Sequence, residues 1–284
     1  MTVDFHVHST ASDGTLAPAE LARLSSDFAA IALTDHDNCD GVAEFAAAGG
    51  SRCVTGVELS VEPGEGFDKF HLLGLGVNPE DSGLKAFLRR ILEGRNARNG
   101  RILGNFRRIG IEMGDEIFAF AHGDVLARPH FAKWLVLHGH APDIRTAFET
   151  YLLPESPDAT RCYESRWHPP QEEAFAAVHA AGGLCVMAHP RYWRAEWKRT
   201  GCDYARAARG LAELKEKGLD GLEALYQANT PEENVEFVRM ADRLGLLKSA
   251  GSDFHGSVKP DITLGMEVDA AFAAPLLERL GIRS

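Results

Sequence analysis

Nine side chains with metal-binding chemistry recur in short segments along the chain: His6, His8, Asp13, His36, Glu58, His71, His189, Asp253 and His255. His6 and His8, like Asp253 and His255, are spaced i, i+2, which on an extended strand turns both side chains to one face. Each alone has an ordinary explanation. A single histidine at a strand end is most often a hydrogen-bonded structural residue, and a single glutamate in an apolar run can pair with an arginine. As a set they differ, because nine polar groups at the ends of apolar strands are costly to bury unless something satisfies them together. Metal coordination does so. The set is imidazole and carboxylate without thiolate, which suits Mn, Zn or Fe and argues against a cysteine-type structural zinc. Nine ligands exceed the needs of one ion and suit two or three divalent ions bridged by carboxylates. Set against three carboxylates and a bridging hydroxide, three such ions keep the positive charge that a phosphomonoester dianion balances. Cys39 is close in sequence to His36, but a site of this kind does not need its thiol.

These residues need a scaffold, and short apolar runs supply one. Strands are expected at Val3–His8, Ala30–Asp35, Cys53–Val61, Phe70–Val77, Leu184–His189, Gly221–Leu225 and Lys248–Asp253. Helices are expected at Pro18–Ser26, Gly41–Ala48, Gln171–Ala181, Tyr204–Lys217 and Pro231–Leu244, with Pro18 and Pro231 in first turns and Thr230 as an N-cap. Alternation of this kind reads as βα units around a parallel sheet or barrel. In barrels the functional groups gather at the C-terminal ends of the strands. Six of the twelve histidines fall at such ends, which a random scatter would not select. From Asp81 to Pro170 no strand pattern is visible, and the segment reads as a helical insertion.

Composition narrows the partners. The chain is 45% hydrophobic and 25% charged, within the globular range. Its net charge of −11 opposes general nucleic-acid binding, so no duplex DNA partner is expected. No apolar run approaches the roughly 20 residues that span a bilayer, and MTVDFHVHST has no secretory-signal pattern. Five unpaired, irregularly spaced cysteines fit free thiols in a reducing cytoplasm. No GxxxxGK[ST] loop or GxSxG elbow is present, which removes support for ATP-driven transfer and serine hydrolysis.

HVHS near the N-terminus, TDHD after the second strand, GVE, a later AHP and a terminal SDFH together resemble the PHP (polymerase and histidinol phosphatase) family. The resemblance covers most of the chain outside the insertion. It implies an α/β fold, a distorted (β/α)7 barrel made of residues 1–80 and 171–284, with residues 81–170 as a helical cap. It further implies a trinuclear metal centre, with manganese foremost, held by the nine residues named above. Asp13 occupies a slot that is His in some members. NARNGRIL (Asn96–Leu103) and ARPHFAKWL (Ala127–Leu135) resemble the subgroup that acts on nucleotides and short RNA ends. That implies removal of the 3′-phosphate from 3′,5′-nucleoside bisphosphates, such as adenosine 3′,5′-bisphosphate to AMP. The alternatives are 5′-to-3′ trimming of short 5′-phosphorylated RNA, histidinol-phosphate hydrolysis, and a non-catalytic PHP module.

The insertion is locally basic. Between Lys85 and Arg108 the only acid is Glu93, against Lys85, Arg89, Arg90, Arg95, Arg98, Arg101, Arg107 and Arg108. Such a run is ordinarily a solvated helix face. Here Arg128, His130 and Lys133 add a second basic group, and guanidinium binds phosphate bidentately. Arg101, Arg128 and Lys133, with Asn99 and His130, are therefore expected to hold a substrate phosphate remote from the metals. Asn38 is expected to touch substrate, and Arg191 the reacting phosphate. Asp13, His255 or a water is the expected general acid. Asp35 and Asp37 are placed to orient the ligands. Phe131, Trp134, Tyr192 and Trp193 either stack on a base or pack. Arg166, Trp167 and His122, His138, His140, His168 and His179 read as structural or surface residues.

Overall fold

The structure is a computed structural model that describes residues 1–64, 67–120, 126–194 and 196–282. His122 lies outside the described residues. Contacts divide the chain into two units, residues 1–88 with 169–284, and residues 89–168.

The first unit is a mixed α/β barrel. Its strands are β1 (Thr2–Val7), β2 (Ala30–Leu33), β3 (Cys53–Val61), β4 (Phe70–Leu75), β5 (Leu184–Met187), β6 (Gly221–Tyr226), β7 (Leu247–Gly251) and β8 (Met266–Glu267). They form one sheet in the order β7-β6-β5-β4-β3-β2-β1-β8. The sheet nearly closes, because Asp253 N–H donates to His6 O at 2.9 Å and His8 N–H donates to Phe254 O at 2.9 Å. The chain just past β7 thus lies along β1.

One strand runs against the expected parallel rhythm. β4 is antiparallel to both β3 and β5. Only the eight residues 62–69 separate β3 from β4, too few for the crossover that a parallel neighbour needs. His71 therefore lies at the N-terminal end of its strand, on the same rim as the C-terminal ends of the others.

Helices α1 (Pro18–Leu24) and α2 (Val42–Gly49) connect β1 through β3. α3 (Ser82–Arg108) begins in the first unit and ends in the second. The division thus falls inside a helix, whereas the sequence expectation places it before that helix, at residue 81. α4 (Arg128–Leu137) and α5 (Ile144–Ala147) belong to the second unit. The first unit resumes with α6 (Gln171–Ala180), α7 (Trp197–Thr200), α8 (Tyr204–Glu216), α9 (Pro231–Leu244) and α10 (Ala270–Arg279). β8, α7 and α10 are additions to the expected elements.

Alternate strand residues build one core of the first unit. Val3 and Phe5, Ala30 and Ala32, Leu73 and Leu75, and Leu184 and Val186 pack with Ala273, Leu276 and Leu277 of α10. The second unit has its own core around Ile102, Phe106, Phe131, Trp134 and Leu135. No helix among the described residues is long and apolar enough to cross a membrane.

Candidate metal centre

All nine expected ligands come together in the first unit. Glu58, 1% exposed in the middle of β3, is the hub. Its Oε1 lies 2.8 Å from His71 Nδ1, 3.1 Å from His189 Nε2 and 3.3 Å from His6 Nε2. Its Oε2 lies 2.9 Å from His36 Nδ1 and 3.2 Å from His8 Nε2. Asp253 Oδ1 is 3.3 Å from His255 Nδ1, 3.4 Å from His8 Nε2 and 3.6 Å from His6 Nε2. Asp13 closes the far side, 3.3 Å from His255 Nε2 and 3.7 Å from His36 Nε2.

Three overlapping groups offer ligand atoms that all lie within 4.8 Å of one another: His8, Asp13, His36 and His255; His6, His8 and Glu58; and His36, Glu58 and His71. The buried His8 Nδ1 and Glu58 Oε2 have no hydrogen-bond partner among the described residues. Glu58 Oε2 is close to two imidazoles, yet its geometry bonds neither, as befits atoms aimed at a shared centre rather than at each other. Orphaned, deeply buried donors and acceptors of this kind fit metal coordination.

The electrostatics point the same way. Burial opposes charge on His6, His8, Glu58 and Asp253, yet mutual attraction overcomes it. At His8 burial is outweighed by the nearby carboxylates of Asp253 and Glu58, which push it up to about 9. Glu58 and Asp253 stay well below the usual carboxylate range against burial, held there by the histidines around them. The carboxylates of the pocket thus attract positive charge strongly.

The backbone is bent to make these contacts. Among the described residues the non-glycine residues with positive φ are Asp37 (58°), His189 (27°) and Asp253 (59°), two of them expected ligands and one next to His36. Such strain persists only where the surroundings overdetermine it, and it clusters at working sites. Asp37 N–H donates to Glu58 O at 2.9 Å, which ties the TDHD loop to the hub.

Three contributors escaped sequence reasoning. Glu223 is fully buried in β6, with Oε1 2.9 Å from His6 Nδ1 and Oε2 accepting from His189 N–H at 2.6 Å. Tyr226 donates to Asp253 Oδ2 at 3.0 Å, and Lys259 reaches the same oxygen at 2.5 Å. The signal for Glu223 was present as a lone acid inside the apolar strand GLEALY.

Other expected residues have different employment. Asp35 accepts from Ser9 N–H, Ser9 Oγ and Ser12 Oγ at 2.8, 2.6 and 2.6 Å, so it orders the loop leading to Asp13 rather than a ligand directly. Asn38 donates to Ala11 O and His36 O and accepts from Asp40 N–H, fixing the loop after His36. Arg191 is bonded to Ala228 O and lies 3.1 Å from Glu233. Cys39 takes no part, and burial pushes its thiol up to about 12. A separate group of His179, Cys185 and Asp220 is satisfied internally: Asp220 Oδ2 meets both His179 Nε2 and Cys185 N–H at 2.8 Å.

In the second unit, Asn99 donates to Leu126 O and His130 Nδ1 accepts from Ala127 N–H, capping α4. Arg101 is exposed and pairs with Glu164 at 3.2 Å, and Arg128 donates to Leu152 O at 3.3 Å. Lys133 Nζ lies 6.0 Å from the Phe120 ring centroid. Phe131 and Trp134 are core, as is Trp193 in the first unit, stacked on Phe67. Tyr192 alone of that aromatic set lines the cavity over the metal centre, whose volume is about 380 Å³. Arg98 is the residue that sequence reasoning undervalued. It is 4% exposed, and its Nε and Nη2 have no hydrogen-bond partner among the described residues. Burial, then the charges of Arg95, Arg128 and Arg166, push it down to about 9. Arg166, read from sequence as structural or surface, thus belongs to a guanidinium cluster.

Comparison with known proteins agrees with this geometry. The chain is 35% identical over 260 residues to a 3′,5′-nucleoside bisphosphate phosphatase of Chromobacterium violaceum, covering 89% of this chain and 87% of that one. The chain belongs to the PHP family of metal-dependent phosphoesterases. It is also 33% identical to a 5′-3′ exoribonuclease of Haemophilus influenzae, over 89% of each chain. Two solved structures share the fold. One, described as an amidohydrolase of Chromobacterium violaceum with bound sulfate, superposes with a TM-score of 0.82 at 31% identity over 99% and 97% of the two chains. The other, assigned as a metal-dependent phosphoesterase of Bifidobacterium adolescentis, gives 0.80 at 26% over 98% and 96%. No family model matches the chain.

Proposed function

We propose that this protein removes the 3′-phosphate from 3′,5′-nucleoside bisphosphates, using two or three divalent ions, manganese foremost, in the cytoplasm. The observation that carries this reading is the 35% identity to a phosphatase of that specificity across nearly the whole chain. The nine convergent ligands support it, because an enzyme of this type must hold ions.

His6, His8, Asp13, His36, Glu58, His71, His189, Asp253 and His255 would hold the ions. When bound, the ions supply positive charge that polarises the phosphoryl oxygens and acidifies water. The protein's own part is orientation. Glu223 fixes His6 and the start of the His189 turn, and Tyr226 fixes Asp253. The Asp13–His255 pair, 3.3 Å apart, is assigned the proton transfer.

In the second unit the guanidiniums of Arg95, Arg98, Arg128 and Arg166 are close enough to repel one another. A buried cation with unsatisfied donors requires an anion, and a bisphosphate carries one more phosphate than the reaction consumes. Arg98 and Arg128 are therefore assigned to substrate binding, with Asn99, Arg101, His130 and Lys133 supporting them.

The test is phosphate release from adenosine 3′,5′-bisphosphate by manganese-loaded protein. Inorganic phosphate and AMP are expected, with Asp253→Ala inactive. Arg98→Met is expected to raise KM about tenfold or more for the bisphosphate by removing a charge-assisted bond, while a simple monoester is unaffected. Intact bisphosphate alongside hydrolysis of other phosphoesters would end this assignment.

A further inference from the structure

The two oxygens of Asp253 face different surroundings. Oδ1 is turned to His6, His8 and His255. Oδ2 is turned away from them and takes Tyr226 OH at 3.0 Å and Lys259 Nζ at 2.5 Å. Lys259 is also the one lysine or arginine among the described residues lining the 380 Å³ cavity, where it shares a wall with Tyr226, Ala228 and Ile262. The cavity is thus lined by candidate ligands and by one lysine ammonium among the described residues.

The clustered ligands would hold ions whose charge draws the phosphoryl oxygens, and the ester oxygen of such a group would then face the cavity that Lys259 lines. Lys259 has a flexible four-carbon stem and three donors, so its ammonium can turn to that oxygen while Tyr226 keeps Asp253 in place.

We propose that Lys259 is a catalytic residue whose ammonium donates a hydrogen bond to the departing ester oxygen. The inference rests on the reading of this site as a phosphomonoesterase. Water gives up one proton to the Asp13–His255 pair and its oxygen bonds to phosphorus. The P–O ester bond breaks, its electron pair stays on the departing oxygen, and that oxygen takes one proton back from the pair through solvent. The Lys259 ammonium stabilises the charge that develops there.

The experiment compares Lys259→Met and Lys259→Arg with wild type on an alkyl phosphate and on p-nitrophenyl phosphate, whose aryl oxide departs without assistance. The metal content of each preparation is measured by elemental analysis. Lys259→Met is expected to lower kcat about 100-fold on the alkyl ester and only about threefold on the aryl ester, as for loss of one preorganised donor. Metal content is expected to stay at the wild-type level, and Lys259→Arg to recover part of the alkyl activity. Equal losses on both esters would place Lys259 on the phosphoryl oxygens and overturn the proposal, as would loss of metal or no change in rate. Wild-type protein that cleaves alkyl esters but not nucleoside bisphosphates would defeat the substrate assignment alone. Inactivity on every monoester would defeat both.

Discussion

Glu223 holds two candidate ligands from behind, bonding His6 Nδ1 with one oxygen and the backbone of His189 with the other. Partners of this kind fix the ring orientation and tautomer of a ligating histidine, and their loss typically costs 10–100-fold in metal affinity. Glu223→Gln should therefore weaken binding by about that factor in a chelator competition, with the fold intact by circular dichroism. His8 gives a pH prediction. Its pKa rises from 6.5 to about 9 in the folded protein, so the stability it contributes is fully present below 6.5 and is lost as pH climbs through about 9. Metal-stripped protein should unfold at progressively lower temperature across that interval, while ion affinity rises, because each ion must displace the proton. At this scale the sequence was legible where chemistry is written as residue type and spacing, as in His6, His8, Asp253 and His255. It was silent where a role depends on a partner far along the chain, as between Glu223 and His6.

Elements transmit the same demands. Gly251 ends β7 where the sheet nearly closes, and a Cβ there would run into Glu223 Oε1 and His6 Cβ. Gly251→Ala should therefore lower metal occupancy without altering any ligand, which elemental analysis would detect. α9 begins with a capping box: Glu233 N–H donates to Thr230 Oγ1 at 3.2 Å, and Thr230 N–H donates to Glu233 Oε2 at 2.8 Å. Thr230→Ala should cost about 1 kcal/mol in denaturant unfolding. Pro231 and Thr230 announced this helix, and its limits match the sequence expectation because caps are local chemistry. The reversed direction of β4 was not announced. Alternation of apolar residues marks a strand but not its direction, which follows from the length of the connection.

At the scale of the molecule, a net charge of −11 coexists with the guanidinium cluster of the second unit and the acidic, histidine-rich pocket of the first. A mononucleotide engages few phosphates and an oligonucleotide several, so only the latter should show steep salt dependence. Turnover of the bisphosphate is expected to change little between low and moderate salt. The barrel was readable from its alternating runs, but β8 was not, because two residues carry no periodic signal. The account stands on one claim, that nine side chains from distant segments grip divalent ions. Elemental analysis of protein dialysed against manganese tests it most directly. Two or three equivalents per chain are predicted for wild type, and clearly fewer for His36→Ala and Asp253→Ala. Wild-type protein that retains no metal, or full phosphatase activity after exhaustive chelation, would contradict it.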